Sequence, residues 1–318
     1  MSKICQELNI IFIGTPEFGA IILEGLIKSN YKPFLVITAP DKPIGRKQTL
    51  TPPPVKVSAQ NYNIAVAQPE KIKDWKEEIK KLKPDLIILA SYGQIIPKEI
   101  LDAPRYGCLN IHPSLLPKYR GASPIQYAIL NGDEKTGVTI MRMSEKLDAG
   151  PILANSEWQI ANRITYKELH DKLAEMGAEL LIENLPKLFS GQLSPQPQDD
   201  LKATYTKILT KEDGKIDWQK PAVEIERKIR ALNPWPGTFC QWQTVNKRQI
   251  LKILEADVFN FNDEKKPGQV FLFGKEKLTV KTGKNYLIIQ KLQLEGGKPL
   301  SYQDFLRGHK EIIGTILK

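Results

Sequence analysis

Cysteine is scarce in this chain. Cys5, Cys108 and Cys240 are the only three in 318 residues, and they stand too far apart for a disulfide framework or a paired metal clamp. They suit small buried apolar positions, so no metal site is expected and a reducing cytoplasm is the simpler home. Long hydrophobic runs are also missing. The longest early one, Ile10 to Ile13, is too short for a leader segment or a membrane span and is read as a first strand, with no membrane association expected. The dinucleotide fingerprint Gly-x-Gly-x-x-Gly is absent after that strand. Gly14-Thr15-Pro16-Glu17-Phe18-Gly19 has the wrong spacing and places a carboxylate where a pyrophosphate would sit, which argues against nicotinamide chemistry.

What is present is a basic chain with enough apolar content for more than one core. The net charge is +10 and 41% of residues are hydrophobic, sufficient at this length for one large core and a second, smaller one. The charge is uneven: from Thr210 to Lys318 there are 20 Lys and Arg against 13 Asp and Glu, and before Thr210 there are 26 against 23. A basic surplus in one region favours a polyanionic partner. A solvated Lys-rich surface competes with that reading, because the charges are dispersed.

The first two-thirds alternates strand and helix signals. Leu8–Ile13, Phe34–Thr38, Asp85–Ala90 and Cys108–Ile111 are apolar strand candidates, while residues 70–82 and 122–130 have helical spacing. Thr15 and Pro16 suit an N-cap and first helical position for a helix with Phe18, Ile21, Ile22 and Leu26 on one face. Thr165 and Glu168 form a capping box before Leu169, Leu173, Met176 and Leu180, with His170 off that face. This order predicts an α/β fold with a parallel-rich, Rossmann-like sheet and a site at the strand C-terminal ends. A linker with Gly191, Pro195, Pro197 and several polar residues is expected over 190–209, dividing a domain over 1–189 from one over 210–318. In the latter, one helix (Ala222, Ile225, Ile229, Leu232) is followed by five short strand candidates, a density that suggests a small barrel. Trp235 and Trp242 suit base stacking, but core or interdomain packing is the stronger reading for both.

The most informative stretch is Asn110-Ile111-His112-Pro113-Ser114-Leu115-Leu116-Pro117. Residues two apart on a strand share a face, so Asn110 and His112 project together from a strand tip that Pro113 terminates. An amide donor beside an imidazole suits acyl transfer, which needs donors aimed at a developing oxyanion and a group that holds a proton near neutral pH. Downstream, Asp148 stands in the turn-forming stretch Asp148-Ala149-Gly150-Pro151 after an apolar run. From there an acid can meet His112 and orient its charged form, though an isolated Asp in such a stretch reads first as a turn residue.

Five segments now carry a resemblance: Gly14-Thr15-Pro16-Glu17-Phe18, Ala39-Pro40-Asp41-Lys42-Pro43-Ile44-Gly45-Arg46, Asn110 through Gly121, Leu147-Asp148-Ala149-Gly150, and Asn233-Pro234-Trp235-Pro236. In this order, and nearly end to end, the chain resembles the 10-formyltetrahydrofolate-dependent formyltransferases, and within them the methionyl-tRNA formyltransferase family. The resemblance implies a Rossmann-like formyltransferase domain followed by an OB-like β-barrel. It implies 10-formyltetrahydrofolate as co-substrate and initiator methionyl-tRNA as acceptor, with Asn110, His112 and Asp148 catalytic. Ser114, Leu115, Leu116 and Pro117 would line the folate site, with backbone around Tyr92, Gly93 and Ile95 holding the pterin. Lys42, Arg46 and Lys47 would belong to a finger that enters the acceptor stem. A monomer is expected. Two rivals are a formyltransferase acting on a small amine, such as a nucleotide-linked aminosugar or glycinamide ribonucleotide, and a nucleic-acid-binding protein on a catalytically dead scaffold.

Overall fold

The computed structural model describes residues 8–318 apart from residues 46, 245, 246, 262 and 275. The chain divides into two compact units. The first takes in the described residues up to Pro124 with Lys135–Gln159 and His170–Thr206; the second takes in Ile125–Glu134, Ile160–Leu169 and Lys207–Lys318.

The first unit is built on a seven-stranded sheet in the order Ile152–Gln159, Lys135–Arg142, Cys108–His112, Leu86–Ala90, Ile10–Gly14, Leu35–Ile37 and Ala65–Ala67. The last five strands are mutually parallel, and the first two add on antiparallel. The strands Ile10–Gly14, Leu86–Ala90 and Cys108–His112 are buried along their whole length. Their runs of Ile and Leu are what strands covered on both faces require. The α/β class and parallel-rich sheet expected from the alternation are therefore present. One covering helix, Tyr166–Phe189, presses on the Cys108–His112 strand at Gly177, where an added Cβ would stand 2.9 Å from Ile111 Cγ2.

Three local expectations need correction. Helix Glu17–Lys28 starts after Pro16 without a side-chain cap. The Thr15 hydroxyl instead accepts from the Ala39 N–H at 3.4 Å. Residues 70–82 form a short 3-10 turn, Ile72–Trp75, and a separate helix, Lys76–Lys81. The Gln94 side chain explains the late start: it accepts from Ile72 N–H at 2.9 Å and donates to Glu70 O at 3.0 Å, holding Lys71 extended. His170 is buried, against the edge of Phe18 and 2.9 Å from Asp171 Oδ1, and Leu181 replaces Leu180 in the buried row. Residues 190–206 run along the first unit, where Tyr205–Thr206 pairs in parallel with Arg120–Gly121.

The second unit is an antiparallel sheet in the order Thr238–Gln243, Arg248–Phe259, Tyr286–Leu294, Lys277–Lys281 and Val270–Phe273. Its C-terminal segment bonds to both edges. Gln241 and Lys318 exchange backbone bonds of 2.6 and 2.9 Å, Val270 is held by Thr315 and Gly314, and Leu317 N–H reaches Gly268 O at 2.9 Å. With both edges satisfied, the sheet closes into a small barrel, which removes the exposed edges that invite association. Helix Ala222–Leu232 contributes Ala222, Ile225 and Ile229 to a core that includes Trp218, Trp242, Leu251 and Phe305. Trp242 is thus a core residue, and Trp235 is the exposed one.

Candidate active site

Register places the site. Asn110 pairs with Leu89 on one side and Met141 on the other, and His112 pairs with Thr139, so both side chains leave one face at the end of the Cys108–His112 strand. Just beyond it, Ser114 N–H bonds to His112 O at 2.9 Å, while the Thr139 hydroxyl donates to Ser114 O and accepts from Leu116 N–H. The turn after the strand is therefore tied to the neighbouring strand.

Asp148 lies at the centre of the cluster. Its Oδ2 accepts from the Gly121 N–H at 2.7 Å and stands 3.8 Å from His112 Nδ1. Its Oδ1 faces Asn110 Nδ2 at 3.4 Å. The three residues singled out from sequence are brought together, all largely buried. Asn110 has two N–H donors, so one remains for a reacting oxygen. His112 Nε2 is 2.9 Å from Tyr119 O, a carbonyl that only accepts, so Nε2 carries a hydrogen. The other ring nitrogen, Nδ1, faces the Asp148 carboxylate at 3.8 Å, beyond direct hydrogen-bond distance.

Asp148 pays a conformational cost, with φ of +47°, a region that non-glycine residues occupy at about 1–3 kcal/mol. Its loop is fixed from several sides. At Gly150 an added Cβ would fall 1.8 Å from Arg142 O, so the chain passes there only as glycine. The Gln198 side-chain amide donates to Asp148 O at 2.9 Å and Gly150 O at 2.7 Å. Gln198 Oε1 accepts from Arg120 Nε at 3.1 Å and Nη2 at 2.8 Å, and Arg120 Nη2 also reaches Asp200 at 2.7 Å. Sequence reasoning missed Gln198 and Arg120; no signal links them to Asp148 in a chain where Gln198 lies 78 residues from its arginine.

The remaining sequence candidates fall in three places. Leu116 is buried, Leu115 and Pro117 are half-buried, and the Ser114 hydroxyl donates to Lys118 O at 2.6 Å. Beyond the Leu86–Ala90 strand, Gly93 has nothing within 4 Å of where a Cβ would stand, and Ile95 is 88% exposed. Together they leave an open apolar ledge. Tyr92 is half-buried with its hydroxyl enclosed and unpartnered, and burial raises its pKa. Lys42 and Lys47 are exposed on a hairpin of Lys42–Ile44 and Thr49–Thr51, where a basic loop was expected. Its base is tied by Asp41, which accepts from Lys56 and Gln68 at 2.8 Å. Arg46 lies outside the described residues. Among those residues, no group of three or more His, Cys, Asp or Glu side chains can hold a metal ion, and no helix is long and apolar enough to cross a membrane.

A buried donor pair around a carboxylate, at the C-terminal ends of a parallel sheet, is the arrangement of a group-transfer enzyme, and comparison with known proteins agrees. Residues 8–185 match the family described as formyl transferase, and residues 208–310 match formyl transferase, C-terminal domain. The chain belongs to the formyl transferase family. It is 45% identical to the methionyl-tRNA formyltransferases of Bacillus subtilis and Bacillus velezensis, in each case over 313 residues that cover 97% of this chain and 97% of the relative. Among solved structures, an N-formyltransferase of Helicobacter canadensis in complex with folinic acid and dTDP-3-aminofucose superposes with a TM-score of 0.65 at 21% identity, covering 89% of this chain and 98% of that one. HypX of Aquifex aeolicus in complex with tetrahydrofolic acid gives 0.62 at 19% identity, over 96% of this chain and 47% of that one. These two share the fold.

Proposed function

We propose that this enzyme transfers the formyl group of 10-formyltetrahydrofolate to the α-amino group of methionyl-tRNA, the initiator form, giving N-formylmethionyl-tRNA. The full-length similarity to methionyl-tRNA formyltransferases supports the substrates. The observation that carries the chemistry is the Asn110–His112–Asp148 cluster with its free amide donor.

When bound, the folate supplies an activated formyl group on nitrogen, with the ledge of Gly93 and Ile95 and the Ser114-Leu115-Leu116-Pro117 turn lining its site. An apolar surface with a few backbone polar groups suits a flat heterocycle. The protein's residues do the rest. Asn110 Nδ2 donates to the formyl oxygen as it gains negative charge, and His112, set by its contact with Tyr119 O and facing Asp148, supplies electrostatic stabilisation beside it. The amine attacks neutral, a form accessible because an α-amine titrates near pH ~8. A new C–N bond forms, the bond to the folate nitrogen breaks, and the amine's proton passes through Asp148 to that departing nitrogen. No covalent bond to the enzyme is required.

Lys42, Arg46 and Lys47 are assigned to the acceptor end of the tRNA, and the basic surplus from Thr210 onward to its phosphates. The enzyme is taken to act as a monomer in the cytoplasm. A formyltransferase acting on a nucleotide-linked aminosugar would use the same cluster, so the acceptor decides. Incubation with 10-formyltetrahydrofolate and either charged initiator tRNA or dTDP-linked aminosugars should give formylated product with the tRNA. Product from the sugar alone would overturn the assignment.

A further inference from the structure

Arg120 is among the largest fully buried side chains, yet its guanidinium takes no direct part in the Asn110–His112–Asp148 cluster. Its hydrogen bonds show where its influence goes. Nε and Nη2 both donate to Gln198 Oε1, at 3.1 and 2.8 Å, which uses both lone pairs of that oxygen. This pairing fixes which way the amide faces, since the reversed amide would set N–H groups against a cation and an oxygen against two carbonyls. The two Nε2 hydrogens are therefore directed at Asp148 O and Gly150 O, at 2.9 and 2.7 Å. Next to Arg120 in the chain, Gly121 donates its N–H to Asp148 Oδ2. The dipeptide Arg120–Gly121 thus grips Asp148 twice, by its backbone through Gln198 and directly by its carboxylate. Nη1 and Nη2 of Arg120 are anchored to Tyr205 and Asp200 in turn, and Arg120–Gly121 pairs with Tyr205–Thr206.

We propose that Gln198, oriented by Arg120, is a positioning residue that holds Asp148 in its left-handed conformation with the carboxylate between Asn110 and His112. The proposal rests on the assignment of Asp148 to the reaction. Without the two carbonyl contacts, a residue at φ +47° has a more favourable conformation available, and relaxation toward it turns the carboxylate away. Misplacement of a reacting group by about 1 Å costs on the order of 100-fold in rate.

The sharpest variant is Gln198→Glu. A carboxylate still accepts from Arg120, so the buried guanidinium stays paired, but it has no N–H for the two carbonyls and repels them. The expected result is a fall in kcat of about tenfold to 100-fold with KM for both substrates near wild type, and a changed amide resonance at Gly121 as its acceptor moves. In the double variant with Asp148→Asn, turnover should be no lower than in Asp148→Asn alone, because the glutamine acts through the aspartate. Gln198→Leu, which deletes both sets of contacts, should give the same Gly121 change and the same lack of additivity, and serves if the glutamate variant does not fold. Multiplying losses in the double variant, or a Gly121 resonance identical to wild type, would overturn the positioning role. Wild-type turnover in Asp148→Asn would instead remove the catalytic assignment, while the Gly121 resonance would still report whether Gln198 holds the loop.

Discussion

Each unit of this enzyme contains an arginine with little or no solvent exposure, and the two are satisfied in opposite ways. In the second unit Arg230 closes on its own helix: Nε and Nη2 meet the two oxygens of Glu226 at 2.6 and 2.9 Å, and Nη1 ends on Ile164 O. Charge and hydrogen bonds are balanced inside a bidentate pair. In the first unit Arg120 has, among the described residues, only an exposed carboxylate, Asp200, to offset its charge, and gives two of its bonds to a neutral amide. Burial works against the Arg120 charge, but the bonds to Asp200 and Tyr205 outweigh it and leave the group above its ordinary value. One arginine pairs its charge within its own helix and ties that helix to Ile164 O. The other passes orientation along a chain of bonds to the loop that carries Asp148. Burial alone therefore does not tell these two arginines apart; the direction in which their bonds lead does.

The largest expected effect tests the end of the first network. Asn110→Ala should lower kcat by about 100-fold to 1,000-fold, the range for loss of one oxyanion donor, and Asp148→Asn should also depress turnover, through loss of the carboxylate that relays the amine's proton. Circular dichroism should be unchanged, since neither side chain carries core packing. Steady-state formylation assays decide the matter, and wild-type turnover in Asn110→Ala would remove its assignment. Combined substitutions should lose less than the product of the single losses, because the groups act as a unit.

Breaking the second network should affect stability and leave chemistry alone. Arg230→Leu strands Glu226 as a buried, unpaired charge, and removal of one partner from such a pair costs about 3–5 kcal/mol. With the Arg230 side chain 17% exposed, the low end is expected. Urea unfolding followed by tryptophan fluorescence reads it, since Trp218 and Trp242 lie in that unit's core. A midpoint equal to wild type would show that the pair is a surface contact in energetic terms.

How much of the molecule is legible in its sequence follows the range over which each contact acts. Asn110 and His112 are found because a period of two puts them on one face, and the capping box of Thr165 and Glu168 because its partners are three residues apart. Asp148 needs the family resemblance to bring it across the chain. The Arg120–Gln198 contact is invisible: it joins a residue in a recognised motif to one in a polar, Pro-containing stretch whose composition reads as linker. His170 is misplaced for a related reason, as helical spacing predicts a face but not a second surface, and Phe18 from another helix covers it. The strands of the first sheet are visible in their apolar runs, whereas the closure of the barrel by Gly314–Lys318 depends on bonds to residues more than 40 positions away.

A smaller effect is expected at the exposed hairpin, which neither arginine supports. Lys42→Ala with Lys47→Ala should weaken tRNA binding and flatten its salt dependence, by about 0.9 in log–log slope for each duplex phosphate no longer neutralised. The KM for folate should not move. Titrations of tRNA at several salt concentrations supply the slope, and a slope equal to wild type would detach the hairpin from the phosphates.

The smallest effect sharpens the contrast at its weakest point, the Asp200 end of the Arg120 network. The hydrogen bond from Arg120 and its charge hold the Asp200 carboxyl below its ordinary value of 3.8. A carboxyl depressed on folding adds stability above its unfolded value, and that contribution disappears as pH falls through the folded one. Because its side chain is 68% exposed, water screens most of the interaction. Asp200→Asn should therefore melt slightly below wild type near neutral pH, and the two proteins should converge as the pH is lowered from about 4. Thermal melts across the acid range test this. A deficit that persists in acid would mean that Asp200 acts through the shape of its turn, where its neighbour Asp199 caps Leu201, and that Arg120 is held by Gln198 and Tyr205 without it.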